Sequence, residues 1–279
     1  MVALSSPSSA LPWYELCAES TAFLISGVSC VLSIMLVAFC RIRRNMRAAM
    51  AMLCFINVFM GLGTTISTAS IIFPRRSENV RNIKDSDPFL YQEVICRSMI
   101  LSITAYLFAE VITGTLFIGS RWRASGKLCG RMVSFYPSVL IVMMVFVHQF
   151  GFITNHDLHA CVLIGMTMIF MVLASFLALK RRHPLIEYTD TVKTLNISFR
   201  YGIVVLPILA VLEMDVFTWS HSTLTPTMKA ITTCVWFIYA DIISLSLVQL
   251  LGRPFTPVVN DRLAPGEVDV NENDYAHTP

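Results

Sequence analysis

The sequence predicts an all-α membrane protein: a polytopic bundle of about seven transmembrane helices, with its N-terminus outside or lumenal and its C-terminus in the cytosol. The chain has 279 residues, of which 55% are hydrophobic and only 14% are charged, whereas roughly a quarter of a soluble domain is charged. The apolar residues gather into runs of about 20, the length that crosses a ~30 Å hydrocarbon core at 1.5 Å per residue. Because these runs lack the alternation of barrel strands, they must span as helices.

Seven apolar runs define the predicted spans, and short polar connections join them. In chain order the spans are Leu16–Cys40, Ala48–Phe73, Val94–Gly119, Met132–Ile153, Leu158–Leu179, Phe199–Trp219 and Pro226–Leu251. We therefore expect a short outer tail over residues 1–15, one transmembrane domain over 16–251 and a cytosolic tail over 252–279. That last segment holds two early prolines and then an acidic run, a composition typical of disorder.

The distribution of basic residues orients the bundle. With the N-terminus outside, about fifteen of the 21 Lys and Arg fall in the cytosolic connections and tail, and about six fall on the opposite side. Cytosolic connections carry such an excess in membrane proteins. The first apolar run could instead be a signal peptide, but the segment before it has no Lys or Arg, whereas a signal sequence begins with a basic region. The basic cluster follows that run, at Arg41 to Arg47, so we expect a retained helix.

Composition and motifs exclude several function classes. The net charge is only +3, and topology explains the basic residues, so nothing indicates a nucleic-acid partner. The eight cysteines form no CxxC pair and no cluster with zinc spacing, and no catalytic signature or phosphate-binding loop is present. The sequence therefore predicts no cofactor, no metal and no catalytic residue. Intramembrane active sites often lack short motifs, so enzymatic activity stays open.

Polar residues inside the spans are the first functional candidates, since they are expensive in lipid. Glu110 in the third span and Asp241 in the seventh each lie about 15 residues past an outer helix end, or ~22 Å down. Asn57 enters from the other side and falls near the same depth. The three could form one intramembrane polar cluster. Such a cluster would either bind a cation or proton, or serve only to fix the register of the helices by hydrogen bonds.

A second polar group gathers where the fourth and fifth spans meet the outer surface. Its imidazoles could bind a metal or titrate near lumenal pH, or could simply be solvated; its members are His148, Gln149, Asn155, His156, Asp157 and His159. Cys96 and Cys161 also lie at outer ends, in an oxidising compartment, and could form a disulfide. Cys17 is on the same side, so the pairing is ambiguous.

Membrane lipids are the partners that the composition itself implies. The third connection, on the cytosolic side, is basic and contains a tryptophan; it holds Arg121, Trp122, Arg123, Lys127 and Arg131. Such a segment could meet anionic head groups of the cytosolic leaflet, although positive-inside topology alone also accounts for it.

Spans two to seven resemble the DRAM-like superfamily of multi-pass membrane proteins. The first outer loop, Asn82 to Ile95, is similar to the family's acidic stretch and Pro/Glu segment. The short link between spans four and five contains His156-Asp157-x-x-Ala160, which resembles the family's lumenal His-Asp motif. Trp219 and Trp236 have a similar spacing to its paired tryptophans. The family's Glu before the second tryptophan is Val235 here, its Ser-Asp-x-Gly signature is not intact, and this chain has an extra leading helix.

Seven-helix receptors of the rhodopsin-like or nematode chemoreceptor type are the rival resemblance. Cys96 opens the third span and Arg121 ends it, in a sequence similar to the receptors' Asp-Arg-Tyr. A basic Lys193-Thr194-Leu195 segment precedes a helix containing Leu206–Pro207. Against this resemblance, Ser120 replaces the acidic partner of Arg121, the seventh span has no Asn-Pro-x-x-Tyr, and the link between spans four and five is short.

The two resemblances imply different functions. A DRAM-like protein is expected to be non-enzymatic, to reside in endolysosomal, Golgi or plasma membranes, and to regulate autophagy, lysosomes or membrane-lipid homeostasis. A receptor is expected at the cell surface, where it responds to a ligand and couples to a G protein through the regions near Arg121 and Lys193.

The predicted orientation can be tested by glycosylation. Asn196-Ile197-Ser198 is the N-glycosylation sequon of this chain, and the predicted topology places it on the cytosolic side, away from the glycosylation machinery. We expect the expressed protein to carry no glycan at Asn196, and a sequon engineered near Asn82 to be modified. The electrophoretic shift on glycosidase treatment measures both. Glycan on Asn196 would invert the orientation.

Overall fold

The computed structural model describes residues 12–42, 44–72, 87–116, 155–181, 190–214 and 225–252, together with parts of 128–146. Helices account for nearly all of these residues, and none of these residues is in a strand. In chain order the helices are α1 (Trp13–Phe39), α2 (Arg44–Ile72), α3 (Asp87–Leu116), α4 (described in part, within 128–146), α5 (Asn155–Arg181), α6 (Asp190–Glu213) and α7 (Thr225–Leu251). The predicted all-α fold is confirmed.

The helices extend beyond the apolar runs that predicted them. Within the described residues, all except α4 are long and apolar enough to cross a membrane. The sixth span was expected to begin at Phe199, but α6 begins at Asp190, and α3 begins at Asp87 rather than Val94. Hydropathy locates the part of a helix that lies in hydrocarbon, whereas the helix itself continues into the polar region where water satisfies charged side chains.

The first helix buries mainly small and polar side chains and exposes large apolar ones, an arrangement typical of a membrane helix. Its buried positions recur at helical spacing and, apart from Leu36, are small or polar; they are Glu19, Ala22, Ser26, Ser29, Cys30, Ser33 and Leu36. Its opposite face exposes large apolar side chains, among them Leu24, Val28, Val31 and Ile34. Small residues let membrane helices approach closely, and the apolar face suits lipid. At the N-terminal end of α1, Pro12 precedes the first turn and Trp13 is 76% exposed, a position suited to the membrane interface.

The described helices close into a ring. α1 packs against both α2 and α7, α2 packs against α3, α3 packs against α5, α5 packs against α6, and α6 packs against α7. α3 also reaches α7 across the interior, and these two helices are the most enclosed of the candidate spans. The two helices at the centre of the bundle can therefore bring side chains from opposite sides of the ring together.

Aromatic side chains fill the interior between α3, α5 and α6. The rings of Phe108, Phe170 and Phe199 contact one another pairwise, with centroids 5.1 to 5.8 Å apart. Tyr201 of α6 stacks on Tyr239 of α7 with ring centroids 6.0 Å apart. Buried aromatic pairs of this kind stabilise by about 0.5–1.5 kcal/mol beyond their buried area, so they tie the second half of the ring together.

The close approach of α6 to α5 gives a test of this packing. A methyl group added at Gly202 would overlap the Phe170 ring, which its two aromatic neighbours hold in place. We expect Gly202→Ala to lower the thermal unfolding midpoint of the detergent-purified protein, since overpacking costs about 1–3 kcal/mol. Gly63 in α2 is the matched control, because no atom of another helix lies within 4 Å of the position that a Cβ would take there. There alanine should be neutral or stabilise by up to ~1 kcal/mol through helix propensity. Equal midpoints for the two variants would contradict the described α5–α6 contact.

Candidate functional site

Five polar side chains from four helices meet in the half of the bundle that the predicted topology places toward the outside. We call them the outer charge cluster: Glu93 and Arg97 of α3, His159 of α5, Glu213 of α6 and Thr233 of α7. Arg97 donates through Nη2 to Glu93 and through Nη1 to Glu213. Its Nη2 also donates to Thr233 Oγ1 at 3.3 Å, and Thr233 Oγ1 donates to Glu93 Oε1 at 3.3 Å. Glu93 and Arg97 are one helical turn apart, the spacing at which opposite charges meet on a helix face.

The outer charge cluster is enclosed by protein. Arg97 is 4% exposed, Glu213 is 3% exposed and His159 is completely buried. The side chain of Glu93 is 32% exposed, so it alone of the four ionisable groups reaches the surface. Breaking a buried ion pair by removing one partner costs about 3–5 kcal/mol because the remaining charge is uncompensated. The cluster therefore constrains the relative positions of α3, α6 and α7.

Trp236 of α7 lies beside this cluster and contacts its charged and imidazole groups. Arg97 Cζ is 5.7 Å from the centre of the indole ring, within the range of a cation–π interaction. The rings of His159 and Trp236 have centroids 5.8 Å apart. Four buried polar atoms here make no hydrogen bond within the described part of the chain: Arg97 Nε, both ring nitrogens of His159, and Trp236 Nε1.

The chemistry that this arrangement permits is narrow. Nowhere in the described ranges do three or more His, Cys, Asp or Glu side chains converge in a way that could hold a metal ion. The outer charge cluster holds two carboxylates, a guanidinium and an imidazole, which can carry charge, bind a proton and fix helix positions. His159 was expected to bind metal, titrate or be solvated at the surface. Complete burial excludes the solvated interpretation for this residue.

A second group, deeper in the membrane, joins α1, α2 and α7. We call Ser29, Ser33, Asn57 and Asp241 the inner polar cluster. Ser29 Oγ donates to Asp241 Oδ1 at 2.8 Å. Asn57 Nδ2 donates to Ser33 Oγ at 2.8 Å, Ser29 Oγ at 3.0 Å and Asp241 Oδ1 at 3.3 Å. The structure thus brings together two of the three polar residues of the expected intramembrane cluster and adds two serines to them.

Glu110 lies apart from this cluster. Its carboxylate makes no hydrogen bond or ion pair with Asn57 or Asp241 among the described contacts. The register between α3 and α7 explains the separation, because Arg97 is level with Thr233. At 1.5 Å per residue, Glu110 then lies ~20 Å below that level and Asp241 only ~12 Å below it. The expectation of a common depth for the two acids counts residues from the predicted helix ends. Because α3 begins at Asp87 rather than at Val94, that count does not hold for Glu110.

The remaining candidates from the sequence are not brought together. Cys96 and Cys161 are both free thiols; Cys96 is buried on α3 and Cys161 is exposed on α5, so the expected disulfide is not formed. In the His-Asp motif, Asp157 lies in the first turn of α5 and Ala160 is completely buried. The side chain of His156, the segment 147–154 and Trp219 lie outside the described residues.

Sequence reasoning missed the two residues on which the outer charge cluster depends. Arg97 is one of the six basic residues on the outer side of the predicted topology, and it lies within the predicted third span. Glu213 lies within the predicted sixth span and was not singled out. The rule that made Glu110 and Asp241 candidates, that ionisable residues inside spans are functional by default, selects both of them. The presence of an ionisable residue inside a predicted span therefore identifies Arg97 and Glu213 as candidates, but it does not show that they face each other.

Comparison with known proteins gives no family for this chain: no family model, no curated protein and no solved structure matches it. The fold defines a class. The fold is all-α, and six helices in the described part of the chain are long and apolar enough to cross a membrane. The chain is an all-helical, multi-pass membrane protein, with buried polar clusters at two depths of its bundle.

The inner polar cluster predicts the effect of changing Asp241. Asp241→Asn keeps an oxygen that accepts from Ser29 and Asn57, so we expect folding and trafficking to be retained. Asp241→Leu removes the acceptor of Ser29 and one of the three acceptors of Asn57. A buried donor left unpaired costs about 1–3 kcal/mol, so we expect reduced yield and a lower unfolding midpoint. Expression level and thermal unfolding in detergent measure both effects.

Glu110 supplies the matched control for this prediction. Glu110→Leu removes an acid of a neighbouring helix that belongs to neither cluster, so it should cost less than Asp241→Leu. If the cluster instead binds a cation or relays protons, Asp241→Asn would fold and traffic normally yet abolish activity, which would refute a purely structural role.

Proposed function

We propose that this chain is a seven-helix receptor that carries a signal from its outer face to a cytosolic G protein. The observation that carries the proposal is the position of α1. This helix packs between α2 and α7 and supplies Ser29 and Ser33 to the inner polar cluster. A bundle of six helices with one helix added at its edge would not need such contacts. A ring that closes through α1, in a chain predicted to have seven spans and its N-terminus outside, suits a seven-helix receptor.

The position of the outer charge cluster also supports a receptor. It connects α3, α5, α6 and α7 at the end of the bundle that is predicted to face outward, and the other end of α6 is predicted to be cytosolic. A ligand that changes the pairing of Glu213 would act directly on α6. Packed helices have discrete arrangements, so a small change at one end can be transmitted as a displacement of the whole helix.

The cytosolic end of α6 suits a partner protein. The helix begins at Asp190, about 14 Å before the predicted membrane entry at Phe199. Lys193 in this extension is exposed, and its Nζ lies 3.4 Å from Asp190 Oδ1. Exposed ion pairs of this kind contribute only about 0–1 kcal/mol, so exchanging this pair for contacts with a partner would cost little stability.

The competing proposal is a non-enzymatic regulator of autophagy, lysosomes or membrane lipids, similar to the DRAM-like superfamily. One observation favours it. The His156-Asp157-x-x-Ala160 motif coincides with the beginning of α5 at Asn155, and the buried Trp236 occupies the position of the family's second tryptophan. The receptor proposal does not require a His-Asp motif at the beginning of α5, and it does not require a tryptophan at position 236.

Localisation combined with G-protein capture tests the two proposals. A tagged protein should reach the cell surface and co-purify with a nucleotide-free heterotrimeric G protein from membranes that supply several Gα families. Lys193→Ala should reduce this capture severalfold. Lys229→Ala is the matched control, since it removes a lysine at the outer end of α7 and should leave the capture unchanged. Residence in endolysosomes or Golgi without capture, together with altered autophagy or lipid composition, would replace the receptor with the DRAM-like function.

A further inference from the structure

We propose that the exposed face at the predicted cytosolic end of α6 binds a phosphoinositide, a membrane lipid whose inositol head group carries additional phosphates. The face consists of Lys193, Ile197, Arg200 and Val204, and we call it the basic lipid face. All four side chains are exposed, and their spacing of three or four residues places them on one side of the helix. The proposal depends on the predicted orientation of the chain and not on the receptor function.

Arg200 is a charged residue on the lipid side of a candidate membrane span. In the part of the chain that the structure describes, its guanidinium makes no hydrogen bond or ion pair. Arg97, which also lies within a span, is 4% exposed and donates to three side chains of the protein. An exposed arginine in a span extends its charged end to the membrane interface. The partner of Arg200 therefore comes from outside the chain, and lipid phosphates are the anions at that interface.

The apolar members of the basic lipid face suit the acyl chains of the same lipid. Ile197 is 67% exposed and Val204 is 61% exposed, so the apolar side chains alternate with the two basic ones along the helix. Farther toward the outer end, Ile208 and Val211 are also exposed. A soluble anion would use only the basic side chains, whereas a lipid contacts both kinds. The face therefore fits a membrane lipid as its occupant.

The spacing of the two basic residues favours a head group with phosphates at two depths. The predicted span begins at Phe199, so Arg200 lies where the hydrocarbon meets the head groups. Lys193 lies about 10 Å farther toward the cytosol along the helix. The phosphate that links a head group to its glycerol can reach Arg200, whose planar fork binds phosphate through two N–H groups. A further phosphate on an inositol ring extends toward Lys193, whereas phosphatidylinositol itself has none there.

The charges around the basic lipid face are mainly positive. Asp190 is the acid nearest to it, with Oδ1 at 3.4 Å from Lys193 Nζ, but both side chains are more than half exposed, so solvent screens this pair. The neighbouring α5 packs against α6 and ends in Lys180 and Arg181 at the same predicted cytosolic end. Basic sites between helices on the cytosolic side bind phosphoinositide head groups in membrane proteins.

Native mass spectrometry of the detergent-purified full-length protein tests the proposal. Phosphatidylinositol bisphosphate, phosphatidylinositol and phosphatidylserine are added at equal concentrations, and the fraction of protein that carries each lipid is measured. We expect the bisphosphate to be bound in preference to the other two. Arg200→Gln and Lys193→Gln should each weaken its binding about fivefold. Arg47→Gln is the matched control, because it removes an exposed arginine of α2 on the same predicted cytosolic side and should leave the binding unchanged.

Three results would overturn the proposal. An equal loss in Arg47→Gln would show general attraction to the basic side of the bundle, and equal binding of all three lipids would show that the additional phosphates are not recognised. Displacement of the lipid by an equal concentration of inositol trisphosphate would show a site for a soluble anion. If Arg200→Gln does not fold, Lys193→Gln still decides the outcome, because Lys193 is exposed in the first turns of α6. The purified sample contains no G protein, so this test and the test of the receptor function can fail independently.

Discussion

The buried ion pair between Arg97 and Glu213 is the constraint on which the rest of the bundle depends. A guanidinium inside a membrane protein is tolerated only when its donors are satisfied. The partners of Arg97 are Glu93 on its own helix, Glu213 on α6 and Thr233 on α7. Satisfying them sets the register of α3 against α6 and α7. That register in turn places the aromatic contacts below it, and it determines that Asp241, rather than Glu110, is level with Asn57.

Each of the two polar clusters joins the helices of one half of the ring. The outer charge cluster fixes the half that contains α3, α5, α6 and α7, and the inner polar cluster fixes the half that contains α1, α2 and α7. Only α7 belongs to both, through Thr233 and Asp241, which are about two turns apart. In a bilayer, where apolar side chains gain little by leaving lipid for a helix interface, such directional contacts decide which helices become neighbours.

The sequence predicted the fold class and most helices because length and hydropathy are properties of a single segment. It placed the helix ends less well, since charged turns such as the one at Asp190 continue a helix beyond the hydrocarbon. It found Asn57 and Asp241 because they are polar residues in apolar runs. It did not find Ser29 or Ser33, because serine is common at close helix contacts and becomes informative only when its neighbour is known. The pairing of Arg97 with Glu213 depends on which faces of α3 and α6 meet, and no pattern within either helix contains that information.

The serine-lined face of α1 has a consequence for biosynthesis. Ser29 and Asp241, which share a hydrogen bond, are 212 positions apart in the chain. At ~5–20 residues per second, the ribosome needs roughly 10–40 s after making α1 before it has made the partner helix. During that interval the polar stripe of α1 has only α2 to cover it. The first helix must therefore be held by the insertion machinery or by α2 until the last helix arrives.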